Sequence, residues 1–223
     1  MKDFTVSVRK VTDEDLMRSA CEMTFLGKSK QSLLSIYKAE HSPARTQMFW
    51  VEFRGIPLAS STHLLRHHVG SVPYQLTCRD DRHGGNPGLP GRVDEVIKLI
   101  QEGEIDRAIE ELDWIKDNTD RQTPVNLGLF LNAQSLIDMA KLRICLQAHK
   151  ETREIFNIMR EEVNKVDPEL ASMMVRKCVY RGGICGEPRC CGFNSSPLFK
   201  TEIEEYLSHF SDVQRGICHK AEM

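Results

Sequence analysis

Apolar and polar positions alternate first at Phe4, Val6 and Val8, the period of a strand with one wet face. A helix start follows at Thr12-Asp13-Glu14-Asp15, where a hydroxyl and three carboxylates suit a capping box, and the helix is expected to run to about Thr24. Residues 32–39 read as a second, short helix. Ser42-Pro43 ends it, because the residue before a proline avoids the α region. Residues 47–54 are rich in β-formers and read as a central strand, closed by Gly55. Pro57 fits the first turn of a further helix, which leads into Arg66. If that helix persists, His63 and His67 share one face, being four residues apart.

Gly84, Gly85, Pro87, Gly88, Pro90 and Gly91 crowd the stretch 79–92, which reads as a loop. Two amphipathic helices follow at 93–101 and 105–116, split by Gly103, with apolar residues at helical spacing. They are expected to form a helical hairpin that fills out the fold. Residues 125–131 read as a buried strand or an extended approach. Asn132 then opens a helix to about Leu146, and 151–166 form another, stopped by Asp167-Pro168. A core helix at 169–177, a Cys/Gly segment and a polar helix at 201–208 complete the chain, whose tail is expected to fray. The class is α+β, with a central, mostly antiparallel sheet and flanking helices.

The 223 residues suffice for one domain with a real core, or one domain plus an appendage. The division expected is a catalytic domain over 1–177, containing the hairpin at 93–117, and a Cys-rich segment over 178–223. A net charge of −2 gives no general field for polymeric nucleic acid or membranes. The start MKDFTVSVRK has no apolar signal region, and no run of about 18 apolar residues exists to span a bilayer. The expected location is the cytoplasm, or the host cytoplasm if the source is a virus. Eight cysteines are unevenly spread. Four of them, Cys178, Cys185, Cys190 and Cys191, sit close together in a Gly-rich stretch, where thiolates can hold structural zinc or an iron–sulfur cluster. The bland alternative is a set of reduced cysteines in a packed loop. Cys21 and Cys145 lie in apolar helical contexts and read as buried thiols.

The densest chemistry lies in THLLRHHVGSVPYQLTCRDDR, residues 62–82. Arg66, His67 and His68 stand in a row, followed by Thr77 and Arg79. Such donors suit phosphate, and the Pro and Gly point to irregular backbone. A solvated basic loop is the competing reading. The stretch resembles the signature of the flavin-dependent thymidylate synthases, RHRxxSxNExSxRY. Arg66, His67, His68 and Ser71 fit its first half, with His68 in place of Arg. With one residue inserted near Pro73, Gln75 stands for Glu, Thr77 for Ser, Arg79 on the signature Arg, and Asp80 for Tyr. Upstream, His41-Ser42-Pro43 before an apolar strand resembles another family block. Downstream, Asn132-Ala133-Gln134-Ser135-Leu136 and Leu142-Arg143 resemble the family's NARSL…LR helix, continued by Ala148 and Glu151.

The resemblance implies methylation of dUMP to dTMP with FAD as cofactor and methylenetetrahydrofolate and NADPH as co-substrates. It also implies a homotetramer with the flavin between subunits. By resemblance, Ser42, Arg66, His67, His68, Asn132, Gln134 and Asp138 contact the flavin, with Gln134 and Asp138 departing from the family's Arg and Asn. His63, Gln75, Thr77, Arg79, Arg121 and Arg143 fall to the nucleotide, and Arg143 is the catalytic candidate beside the pyrimidine. Asn132 also suits a helix N-cap, and Arg143 taken alone suits a surface ion pair. The departures leave room for a sibling enzyme that modifies another pyrimidine nucleotide, for example by hydroxymethylation. A non-enzymatic, zinc-stabilised nucleic-acid-binding module is the reading from another class. The charge balance and the lack of interleaved aromatics speak against it.

Overall fold

A computed structural model describes residues 4–24, 26–76, 89–118 and 123–210. Its centre is a sheet of four antiparallel strands: β1 (Thr5–Lys10), β2 (Met48–Pro57), β3 (Ser71–Gln75) and β4 (Pro124–Asn132), in the order β1-β2-β4-β3. Alternation decides which face is dry. Phe49, Val51 and Phe53 of β2 and Val125, Leu127, Leu129 and Leu131 of β4 are all buried. On the opposite face Trp50 lies over Gly128, where a Cβ would come within 2.6 Å of the indole, and the ring stacks at a tilt on Tyr74, 5.6 Å away.

The helices are α1 (Glu14–Glu22), α2 (Leu33–Ala39), α3 (Leu58–Leu65), α4 (Leu89–Glu102), α5 (Ile105–Asn118), α6 (Ala133–Arg143), α7 (Lys150–Val166), α8 (Pro168–Met173), α9 (Lys177–Tyr180) and α10 (Pro197–Ser208). Side chains start several of them: Asp13 accepts from Leu16 N, Ser32 from Ser35 N, and Asn132 from Ser135 N, each satisfying a backbone donor that the first turn leaves free. Helix α7 packs on β1 and on α8. A buried carboxylate ties these layers together. Asp167 caps α8 and accepts from the Tyr37 hydroxyl at 2.9 Å and from Lys10 Nζ at 2.7 Å. A charge so far from water is tolerable only with such partners.

Several expectations change. Gly55, with φ of 73°, does not close β2; it sits in a bulge between Phe53 and Ile56, and the strand runs on to Pro57. The stretch 71–75, expected to be irregular, is a strand. Pro73 is tolerated because β3 is a sheet edge in the described residues, where a missing N–H breaks no necessary bond. Helix α4 starts at Leu89 rather than 93, since Pro90 fits a first turn. Helix α3 stops at Leu65, so His63 and His67 do not share a face. The segment from 178 onward supplies Val179, Phe193, Phe199 and Tyr206 to the same core as the sheet, and the expected boundary at 177/178 falls inside α9. No described helix is long and apolar enough to cross a membrane.

Candidate active site

Arg66 caps the C-terminal end of helix α3, the His67 N–H bonds Leu64 O at 3.1 Å, and the chain then turns through Gly70 into β3. This turn is seated on the start of α6. Ser135 Oγ donates to Val69 O at 2.8 Å, and Asn132 N donates to Gly70 O at 3.2 Å. Gly70 has φ of 70°, and a Cβ there would run into Asn132 Nδ2 and stand 2.5 Å from Ser135 Oγ. Both backbone conformation and space therefore demand glycine. Two blocks more than 60 residues apart in the chain are thereby locked together.

From the far end of α6, Arg143 Nε donates to His67 Nε2 at 2.7 Å. An imidazole that accepts at Nε2 is neutral and carries its proton on Nδ1. Burial, and then the charge of Arg143, push His67 down to about 4, with Asp138 opposing. Burial and the nearby Arg66 push Arg143 down as well, though a guanidinium stays charged at neutral pH. His68 Nδ1 lies 3.2 Å from Arg66 O. Among the described residues neither Arg66 nor Arg143 is ion-paired with a carboxylate. Two guanidiniums and two imidazoles thus converge with no carboxylate ion-paired to either guanidinium among the described residues, and that arrangement suits an anion or a polarised carbonyl.

The other side of α6 is built differently. Glu40, in the left-handed region at φ of 49°, accepts from Lys141 Nζ at 3.1 and 3.0 Å and from Gln134 Nε2. Lys141 also pairs with Asp138 at 3.1 Å and lies 3.9 Å over the Tyr180 ring. Burial pushes the Glu40 carboxyl up, but the hydrogen bonds from Lys141, Gln134 and Tyr180 outweigh it and hold the group below its usual value. Gln134 Oε1 is buried in this cluster without a partner.

The remaining candidates scatter. Ser42 is exposed in a 3-10 turn, Ser42–Thr46. His63 Nδ1 lies 2.9 Å from Thr152 Oγ1, which donates to Ser60 Oγ at 3.2 Å. Gln75 closes β3 and lines a shallow cleft of about 430 Å³ with Trp50, Glu52 and Tyr74. Thr77, Arg79 and Arg121 lie outside the described residues, as do Cys78, Asp80 and His83. Cys145 is not a buried helical thiol: it lies past the end of α6, half-buried, in a cleft with Cys178, Cys185, Cys190 and Cys191. Its distance in sequence from the other cysteines hid this partnership. The Glu40–Lys141 contact, spanning 101 positions, also left no local signal.

Residues 121–169, which cover β4, α6 and α7, match the family model described as Thymidylate synthase complementing protein. No curated protein matches the sequence. Solved structures do. A flavin dependent thymidylate synthase from Helicobacter pylori complexed with FAD and dUMP superposes with a TM-score of 0.55 at 14% identity, covering 77% of this chain and 99% of that one. Thymidylate Synthase X from the same organism, also with FAD and dUMP, gives 0.51 at 16% identity, covering 76% and 97%. A UMP/dUMP methylase from Streptomyces cacaoi bound with 5-Br dUMP gives 0.51 at 14%, covering 77% and 94%.

Proposed function

We propose that this chain is a divergent member of the flavin-dependent thymidylate synthase family, an FAD-dependent enzyme that methylates dUMP to dTMP with methylenetetrahydrofolate and NADPH. The observation that carries the reading is the cluster of Arg66, His67, His68 and Arg143, in which neither guanidinium is ion-paired with a carboxylate among the described residues, locked onto α6 through Gly70. The residues present fit a flavin dinucleotide in two respects. Arg66 and His68 offer donors for its diphosphate, and the orphaned Gln134 Oε1 offers an acceptor for a ligand N–H. FAD, when bound, supplies the hydride chemistry.

The protein's own task is binding and electrostatics. His67, kept neutral, accepts from Arg143 Nε and fixes the plane of the guanidinium, leaving its terminal N–H groups for the pyrimidine. Charge that develops on a ring oxygen during carbon–carbon bond formation then meets a fixed cation, which needs no reorganisation. Thr77, Arg79 and Arg121 belong to the nucleotide phosphate in this proposal, His63 and Gln75 to the base, and Ser42, Asn132 and Asp138 to the flavin.

A homotetramer with flavin between copies is part of the same reading. The hairpin of α4 and α5 buries Val96, Leu99 and Ala108 along its seam and exposes Val93, Ile97, Ile100, Ile105, Ile109 and Leu112. Such a stripe suits contact between copies. The test is flavin binding. Purified protein should bind FAD by calorimetry with the absorbance of a flavoprotein, and Arg66→Ala should lose most of it. Wild-type protein that neither carries nor takes up FAD sinks the proposal.

A further inference from the structure

The cleft beside Cys145 has a volume of about 20 Å³ and is lined by Cys145, Cys178, Cys185, Cys190 and Cys191, with Lys177 at its rim. All five are free thiols. The chain is turned sharply to bring them there: Gly182, Gly183 and Gly192 have φ of 63°, 101° and 80°, and Gly183 N donates to Cys178 O at 2.7 Å. The thiols line the cleft without yet standing at coordination distance. Among the described residues no three Cys, His, Asp or Glu side chains are spaced as ligands of one ion, so rotation about χ1 has to close the set.

Within the five, the contacts single out four. Cys190 is engaged elsewhere: its Sγ bonds Asn194 Oδ1 at 3.3 Å and accepts from Gly192 N at 3.4 Å. Cations surround the cleft. Lys177 pairs with Glu187 at 3.7 Å, Arg181 Nη1 lies over Gly186 where a Cβ would clash with it, and Arg176 stacks on Phe193 at 4.3 Å. Four thiolates around a divalent ion carry a net charge of about −2, which Arg181 and the carboxylate-paired Lys177 and Arg176 offset only in part.

We propose that Cys145, Cys178, Cys185 and Cys191 bind a single thiophilic divalent ion, zinc by the chemistry of an all-thiolate donor set, as a closed structural centre. The reaction of the proposed active site does not require it, and it stands or falls separately. Its effect is positional. Cys145 follows Arg143 by two residues, and the intervening Ile144 O accepts from Arg176 Nη1 while Gln147 Nε2 donates to Arg189 O at 2.6 Å. The ion would staple the end of α6 to the segment 178–192, and so hold the backbone from which Arg143 reaches His67.

Elemental analysis of protein purified anaerobically should find about one zinc per chain. Cys145→Ser should lower the zinc content by about tenfold or more, and Cys190→Ser should retain it. Alkylation of the folded wild type, read by mass spectrometry, should label Cys190 and spare the other four until a strong chelator is added; this arm needs no variant to fold. The chelator should also lower the melting temperature. Metal-free protein with all five thiols labelled, or full zinc retention in Cys145→Ser, overturns the proposal. Iron with acid-labile sulfide in place of zinc overturns the single-ion assignment.

Discussion

Helix α6 meets two environments of opposite character. Along one side, Gln134, Asp138 and Lys141 join Glu40 in a network where cation and carboxylates compensate. At its C-terminal end, Arg143 meets a neutral imidazole and a second guanidinium, with no carboxylate paired to it among the described residues. Both sites are half-buried, so burial does not distinguish them. What differs is closure: the first has satisfied its charges internally and works as a latch, while the second leaves its charge in reserve, with no carboxylate ion-paired to Arg66 or Arg143 among the described residues. Orphaned Gln134 Oε1 is the one point at which the latch itself stays open.

The largest expected effect follows from that reserve. Arg143→Lys and Arg143→Ala should bind FAD and fold as the wild type does but lose turnover of dUMP by about 10²–10³-fold, the range for removing a positioned charge-stabilising donor. An ammonium cannot reproduce the planar fork, so the lysine variant should not rescue. Wild-type rates in both variants would reduce Arg143 to a helix-surface cation. Next comes the seat between the two regions. Gly70→Ala should destabilise the fold by roughly 2–4 kcal/mol, because it combines strain at positive φ with a clash against Asn132 and Ser135. Urea unfolding reads this directly, and an unchanged midpoint would mean that the turn is not seated on α6.

The latch should respond more mildly. Glu40→Gln should cost roughly 1–3 kcal/mol, since Lys141 would lose its main acceptor in a half-buried site. The wild-type carboxyl is held below its usual value, so its contribution is present above the unfolded-state pKa and lost as pH falls through the folded one. The variant's unfolding curve should therefore be flatter than the wild type's on the acid side. The smallest effect is at His67. With a folded value of about 4 against an ordinary 6.5, it contributes stability above pH 6.5 that fades as pH falls toward 4. NMR should find this histidine still neutral at pH 5.5, and Arg143→Ala should move its titration upward. A wild-type midpoint near 6.5 would mean that the ring is neither buried nor in contact with Arg143.

The sequence showed parts of this comparison and hid others for physical reasons. Strand alternation and the caps at Asp13, Ser32 and Asn132 are local signals, and the elements they mark formed within a few residues of expectation. β3 was missed because Pro73 and Gly70 punctuate it, and only its edge position makes Pro73 harmless. Arg66, His67 and Arg143 stood out through resemblance, yet their meeting depends on how far α3 runs, and it stops one residue short of Arg66. Glu40 carried no local sign at all: its partners lie about a hundred positions downstream. Cys145 was invisible as a cleft residue for the same reason.

The central claim is that the open, cationic end of α6 serves a pyrimidine nucleotide beside a flavin. It is tested most directly by one anaerobic single turnover. Protein loaded with FAD and reduced by NADPH is mixed with dUMP and methylenetetrahydrofolate, quenched, and its nucleotides are identified by mass spectrometry. The account predicts dTMP together with reoxidation of the flavin. Unaltered dUMP, with another pyrimidine nucleotide converted under the same conditions, would keep the site and contradict the substrate; no conversion of any pyrimidine nucleotide by flavin-loaded protein would contradict the claim itself.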